Sequence, residues 1–140
     1  MSDEITHNAP TGLTLYACRF QPNGDVFLTN GATDEVWGTG GRDADNYDVA
    51  MAEEGSSGHY KGNFDTSANI SAEDSYPVTV YRQLGADPAD GDPAIAQGEI
   101  DWDGTKEVTL VDVGLDMTRV KNVYGKDEST SEAVYPVSEL

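Results

Sequence analysis

The sequence predicts an all-β fold: an immunoglobulin-like β-sandwich of about seven strands with an extended C-terminal arm. Three observations carry this. Apolar and polar residues alternate in several short stretches, the period of two that gives a strand one buried face. Clusters of Gly, Pro, Asn and Asp separate those stretches, as turns do between strands. No stretch of ten residues repeats its apolar positions at the helical period of 3.6.

The elements follow in order. Residues 1–12 are polar and read as a flexible leader that ends at Pro10-Thr11-Gly12. Leu13 to Phe20 reads as a strand with apolar residues on both faces, which suits a central strand or one that carries a bulge. Gln21-Pro22-Asn23-Gly24-Asp25 has turn chemistry, because Pro presets φ and Asn-Gly tolerates positive φ. Val26 to Thr29 is then the returning strand of a hairpin. Residues 30–45 hold four glycines and an isolated Trp37, and read as a long loop with little intrinsic order.

Tyr47, Val49 and Met51 give a third strand. Glu53 to Gly58 is a turn, and Tyr60, Gly62 and Phe64 mark a fourth strand. Tyr76, Val78 and Val80 form the clearest alternation in the chain. Pro77 lacks an N–H, so the early part of that strand belongs at an edge or at a strand start. Ile95 to Trp102 and Glu107 to Val113 are the last two strands, joined across Asp103-Gly104-Thr105.

The expected sandwich spans residues 13–113, and a small barrel is the alternative architecture. No Cys…Trp…Cys pattern is present, which excludes an antibody-type domain. Residues 114–140 read equally as a frayed tail or as an arm that docks on a partner in extended form. Leu115, Met117, Val120, Val123, Val134, Tyr135 and Val137 are its apolar anchors.

Composition narrows the function. The 140 residues carry 26 Asp and Glu against 8 Lys and Arg, a formal net charge of −18. Leu, Ile, Val and Phe make up just under a fifth of the chain, which is the compositional border of disorder. Seven Tyr, two Trp and the ordered alternation favour a fold. Eight dispersed cations cannot make a phosphate-binding surface, so no nucleic-acid partner is expected. No apolar run approaches the roughly 20 residues of a membrane span. The acidic Met1–Pro10 stretch does not resemble a signal peptide. The single cysteine, Cys18, forbids an internal disulfide and reads as a small buried residue. Asp in excess of Glu, only four Lys and few aliphatics suit a protein of concentrated salt, where screening over about 3 Å removes most self-repulsion.

Few constellations invite chemistry. Ser56, Ser57 and His59 lack the strand-to-helix elbow of a Gly-x-Ser-x-Gly nucleophile. His59 alternates outward on its strand, and His7 lies in the leader. Asp87, Asp90 and Asp92 lie close enough in sequence to offer oxygens to Ca²⁺, although no twelve-residue EF-hand loop is present. Trp37 and Tyr81 are candidate glycan contacts, since a sandwich binds sugars through exposed aromatics, whereas Trp102 is expected in the core. These residues support an alternative reading as a carbohydrate- or cell-surface-binding module, calcium-assisted.

A series of short segments resembles a family. Thr11-Gly12-Leu13-Thr14-Leu15-Tyr16-Ala17 opens it, and Glu54-Gly55-Ser56-Ser57-Gly58-His59-Tyr60 lies in the middle. Val80-Tyr81-Arg82-Gln83 and Gly85-Ala86-Asp87-Pro88 follow. Gly98-Glu99-Ile100-Asp101-Trp102-Asp103-Gly104-Thr105 closes it. The series resembles a small β-domain found in structural proteins of tailed viruses of bacteria and archaea, over residues 11–111. The resemblance implies a non-enzymatic virion component: a capsid decoration, turret or tail-associated subunit. Its partners would be other virion proteins or further copies of itself. No catalytic residue belongs to the motif, and no cofactor is implied.

Overall fold

The computed structural model describes residues 3–29, 33–65 and 70–108. Its elements lie in one compact unit, Met1–Glu107. The expected arm, including Leu115, Met117, Val120, Val123, Val134, Tyr135 and Val137, lies outside the described residues.

The described chain is all-β. Nine strands are present: β1 (Ile5–Asn8), β2 (Leu15–Arg19), β3 (Val26–Phe27), β4 (Asp34–Glu35), β5 (Asp48–Ala50), β6 (Ala52–Glu53), β7 (His59–Gly62), β8 (Asp74–Arg82) and β9 (Ala94–Trp102). They form three antiparallel sheets in the orders β1-β7-β6, β5-β2-β8-β9 and β3-β4. Two single-turn 3-10 helices, Thr39–Gly41 and Ala44–Asn46, lie between β4 and β5.

The strand β2 sits inside its sheet, between β5 and β8. All five of its residues are buried, which accounts for its apolar residues on both faces. One face carries Leu15 and Ala17 into a core shared with Ile5 of β1, Tyr60 of β7, Tyr76, Val78 and Val80 of β8, and Ile100 and Trp102 of β9. The other carries Tyr16 and Cys18 into a second cluster with Val26, Ala44 and Tyr47. That second cluster lies on the opposite face of the sheet, because successive side chains alternate across a strand.

The alternation of β8 is as expected, with Tyr76, Val78 and Val80 buried in the first core. Pro77 lies just past the end of the β2 pairing at Arg19, and Phe20 N donates to the Pro77 carbonyl at 2.8 Å. Trp102 is in the core and donates from Nε1 to the Ile70 carbonyl at 2.7 Å.

Three expectations need correction. Residues 5–8, placed in a flexible leader, form β1 and pair with β7 from Ile5–Gly62 to Asn8–His59. Side chains fasten this segment further: the Tyr60 hydroxyl donates to the Pro10 carbonyl at 2.7 Å and accepts from Leu13 N at 3.0 Å. The polar composition of the leader concealed an edge strand with one buried residue, Ile5.

The hairpin after β2 is also different. Its turn forms as expected, with Gln21 N donating to the Asp25 carbonyl at 2.7 Å. The return, however, meets β2 only through an isolated Phe20–Val26 bridge, and β3 pairs with β4 instead. The stretch around Trp37 is consequently more ordered than a glycine-rich loop implies, with β4 and both 3-10 turns inside it. Finally, the supposed Glu53–Gly58 turn begins with β6 paired to β7. Gly58 closes that hairpin at φ +77°, where a Cβ would come within 2.5 Å of the Ala9 carbonyl oxygen.

Candidate functional site

Four places gather functional groups, and each is built from residues far apart in sequence.

The first is the Asp87–Asp92 loop. Asp92 is buried. Its Oδ2 accepts from the Tyr16 hydroxyl at 2.7 Å and from Ala89 N at 2.9 Å, and its Oδ1 accepts from Leu84 N at 3.3 Å. Burial alone would raise this carboxyl, but these three donors outweigh it and hold it below the usual aspartate range. The partner hydroxyl of Tyr16 moves the other way, raised by burial and by its bond to Asp92. Asp90 Oδ1 accepts from Ala44 N at 2.9 Å, and Asp87 is exposed. Asp92 and Asp90 thus close the loop and fix it to the second cluster. Among the described residues no three His, Cys, Asp or Glu side chains are grouped to hold a metal ion.

The second is the aromatic group over β2. Trp37 is half-buried, its ring stacked on Phe20 at 6.3 Å and tilted against Tyr47 at 4.7 Å. Tyr81 is half-buried too and stacks on Tyr16 at 5.3 Å, its cross-strand neighbour. Both candidate glycan contacts therefore pack as parts of one cluster. Below them, Arg42 grips Glu35 through two bonds, Nε to Oε2 at 2.6 Å and Nη2 to Oε1 at 2.5 Å. The Tyr47 hydroxyl donates to the same Glu35 Oε2 at 2.8 Å and accepts from Gly38 N at 3.0 Å. Arg42 first, then Tyr47, holds the Glu35 carboxyl below its ordinary value.

The third is Arg19, which sequence reading treated only as part of a strand. Its side chain is fully buried beside the first core. Nη1 donates to the Phe64 carbonyl at 2.6 Å, and Nη2 donates to the Leu28 carbonyl at 2.8 Å. The guanidinium lies 5.9 Å from the Phe27 ring centroid. Burial pulls its pKa down to about 10, which leaves it charged at neutral pH. The signal in the sequence was a lone cation in an otherwise apolar strand.

The fourth is a groove of about 330 Å³ between β1 and β9. These are the outer strands of their sheets among the described residues. Ile5, Val78, Val80 and Ile100 form its apolar floor, and Gln97, Gly98 and Glu99 its rim. On the outer side of β9, Trp102 forms an isolated antiparallel bridge with Glu107.

The serine-histidine grouping does not assemble as a dyad. Ser57 Oγ accepts from the backbone N of His59 at 3.0 Å, while the His59 ring meets Asn8 Oδ1 at 2.8 Å. Among the described residues, no helix is long and apolar enough to cross a membrane. No family model, no curated protein and no solved structure matches the chain.

Proposed function

We propose that this protein is a non-enzymatic structural or accessory subunit of the virion of a halophilic tailed virus. It acts as a capsid decoration, turret or tail-associated component, assembles through residues 114–140, and is present in many symmetric copies. The finer fold reading belongs with this proposal: an immunoglobulin-like sandwich whose two layers are the β1-β7-β6 and β5-β2-β8-β9 sheets.

The observation that carries the reading is how the polar groups are used. Asp92, Asp90, Glu35 and Arg19 all hold loops or backbone carbonyls in place. Among the described residues, β1 and β9 each lie at the edge of a sheet, a position that suits assembly. The resemblance over residues 11–111 and the charge of −18 point the same way.

The test is deletion of residues 114–140. The truncated chain should keep its far-UV β signal and lose incorporation into particles. Truncated protein that enters particles at full occupancy refutes assembly through the arm. The halophilic component has its own test. The β signal should fall as salt drops from molar to millimolar, because unscreened carboxylates then repel one another. A fold indifferent to salt refutes that component.

A further inference from the structure

We infer that Asn23 is a covalent modification site: it loses its side-chain amide through a cyclic imide formed with Gly24, and water is the only co-reactant. The product is aspartate or isoaspartate in the turn between β2 and β3. The inference goes beyond the proposed role in a particle and stands or falls apart from it.

Three observations converge on this peptide. Pro22, Asn23 and Gly24 are exposed, so hydroxide and water reach them. Gly24 has no Cβ to shield its nitrogen, and its φ of +98° is a left-handed conformation that glycine adopts without strain. Asn23 Oδ1 accepts from Asp25 N at 2.9 Å. That bond folds the side chain over the Asn23–Gly24 peptide as an Asx turn, which brings Cγ beside the Gly24 nitrogen. Gly24 N also donates to the Gln21 carbonyl at 2.9 Å. An N–H bond lies in the peptide plane, whereas the nitrogen attacks from the face of that plane, so the Gln21 carbonyl orients the nitrogen without covering it.

Hydroxide removes the Gly24 N–H proton, and the nitrogen bonds to Asn23 Cγ. The negative charge that develops on Oδ1 meets the Asp25 N–H, which acts as an oxyanion donor. The Cγ–Nδ2 bond breaks, and ammonia leaves with a proton from water. Water then opens the imide at either carbonyl. Opening at the side-chain carbonyl gives aspartate, and opening at the backbone carbonyl gives isoaspartate with an extra methylene in the main chain. Other residues lack one requirement each. Asn8, Asn46 and Asn63 precede Ala9, Tyr47 and Phe64, whose Cβ atoms crowd the attacking nitrogen. Asp103 makes the same turn before Gly104, its Oδ1 accepting from Thr105 N at 2.8 Å. Backbone donors from Thr105 and Lys106 hold that carboxyl below the usual aspartate range, and an ionised carboxylate resists attack. Asp103 therefore shares the geometry of Asn23 without its electrophile.

The test incubates the full chain in molar salt at mildly alkaline pH, with far-UV circular dichroism as the folding control. Trypsin then releases Phe20 to Arg42, and fragment ions assign the change within that peptide, because Asn30 shares it and also precedes a glycine. Asn23 should convert severalfold faster than Asn8, Asn46 and Asn63, and Asp103 should stay unchanged. Isoaspartyl methyltransferase, which methylates only the isoaspartyl product, should label the converted chain. Gly24→Ala should slow conversion severalfold by shielding the nitrogen. Alanine is strained at a φ of +98°, so Asp25→Pro is the second variant: it removes the oxyanion donor, keeps the Asn-Gly pair and should also slow conversion. The converted chain should melt below the parent, because the turn sets the Phe20–Val26 bridge. Asn23 intact while other asparagines convert, a change confined to Asn30, or undiminished rates in both variants would each overturn the inference.

Discussion

Arg19 Nη1 donates to the Phe64 carbonyl at 2.6 Å, joining residues 45 apart in sequence. The same guanidinium reaches the Leu28 carbonyl, so one buried cation fastens the end of β2 to the chain after β3 and to the chain after β7. A charge so placed is costly to bury and is offset by the acceptors it satisfies and by the charges of Asp65 and Asp48.

Arg19→Ala should therefore destabilise the fold by about 3 kcal/mol, since it orphans carbonyl oxygens and leaves a cavity. Arg19→Lys should also destabilise, because an ammonium lacks the planar fork that serves both carbonyls. Thermal midpoints in molar salt provide the measurement. Midpoints equal to the parent's would show that the hydrogen bonds merely offset the cost of burial.

Asp92 sets an acid limb. Its folded pKa lies below the unfolded value, so its contribution is present above the ordinary aspartate range and is lost as pH falls through the folded value. Asp92→Asn should lower stability at neutral pH by roughly 1–2 kcal/mol. Its midpoint should also decline less steeply on acidification than the parent's. Parallel declines for the two proteins would place the acid limb elsewhere.

Cys18 should not react with alkylating reagents in the folded protein. Burial, and then the Asp48 charge, push its thiol up to about 12, and the thiolate is the reactive form. Iodoacetamide followed by mass measurement should show labelling only after denaturation. Fast labelling of the native chain would mean that the second cluster opens readily.

Calcium should leave the thermal midpoint unchanged. Both carboxylate oxygens of Asp92 already accept protein donors, and Asp90 is held by Ala44 N. A ligand that binds only the folded state raises the midpoint with concentration. A rise on titrating Ca²⁺, reversed by a chelator, would restore the Asp87–Asp92 loop as a metal site.

The candidate residues show where sequence reading stops. Tyr81 and Trp37 read from the sequence as exposed aromatics of a sandwich, the mark of a sugar platform. Tyr81 is instead stacked on Tyr16, and Trp37 lies against Phe20 and Tyr47. Asp87, Asp90 and Asp92 read as a ligand set because they are near in sequence, but the main partner of Asp92 is Tyr16, 76 residues away. Spacing reports neighbours along the chain and is blind to contacts of that range. Trp102 and Cys18 are legible as core, Cys18 because it lies in a strand apolar on both faces.

By itself the sequence determined the all-β class, the positions of β2, β5, β7, β8 and β9, and the turn at Gln21–Asp25. Each depends on short-range chemistry: a period of two along a strand, or the φ preferences of Pro, Asn and Gly. Only the tertiary structure decided that Ile5–Asn8 is an edge strand, that β3 pairs with β4, and that Arg19 is buried. The reason is physical. Pairing and burial are set by which distant segments satisfy one another's backbone groups and apolar faces, and a polar strand or a lone arginine carries no local mark of its partner.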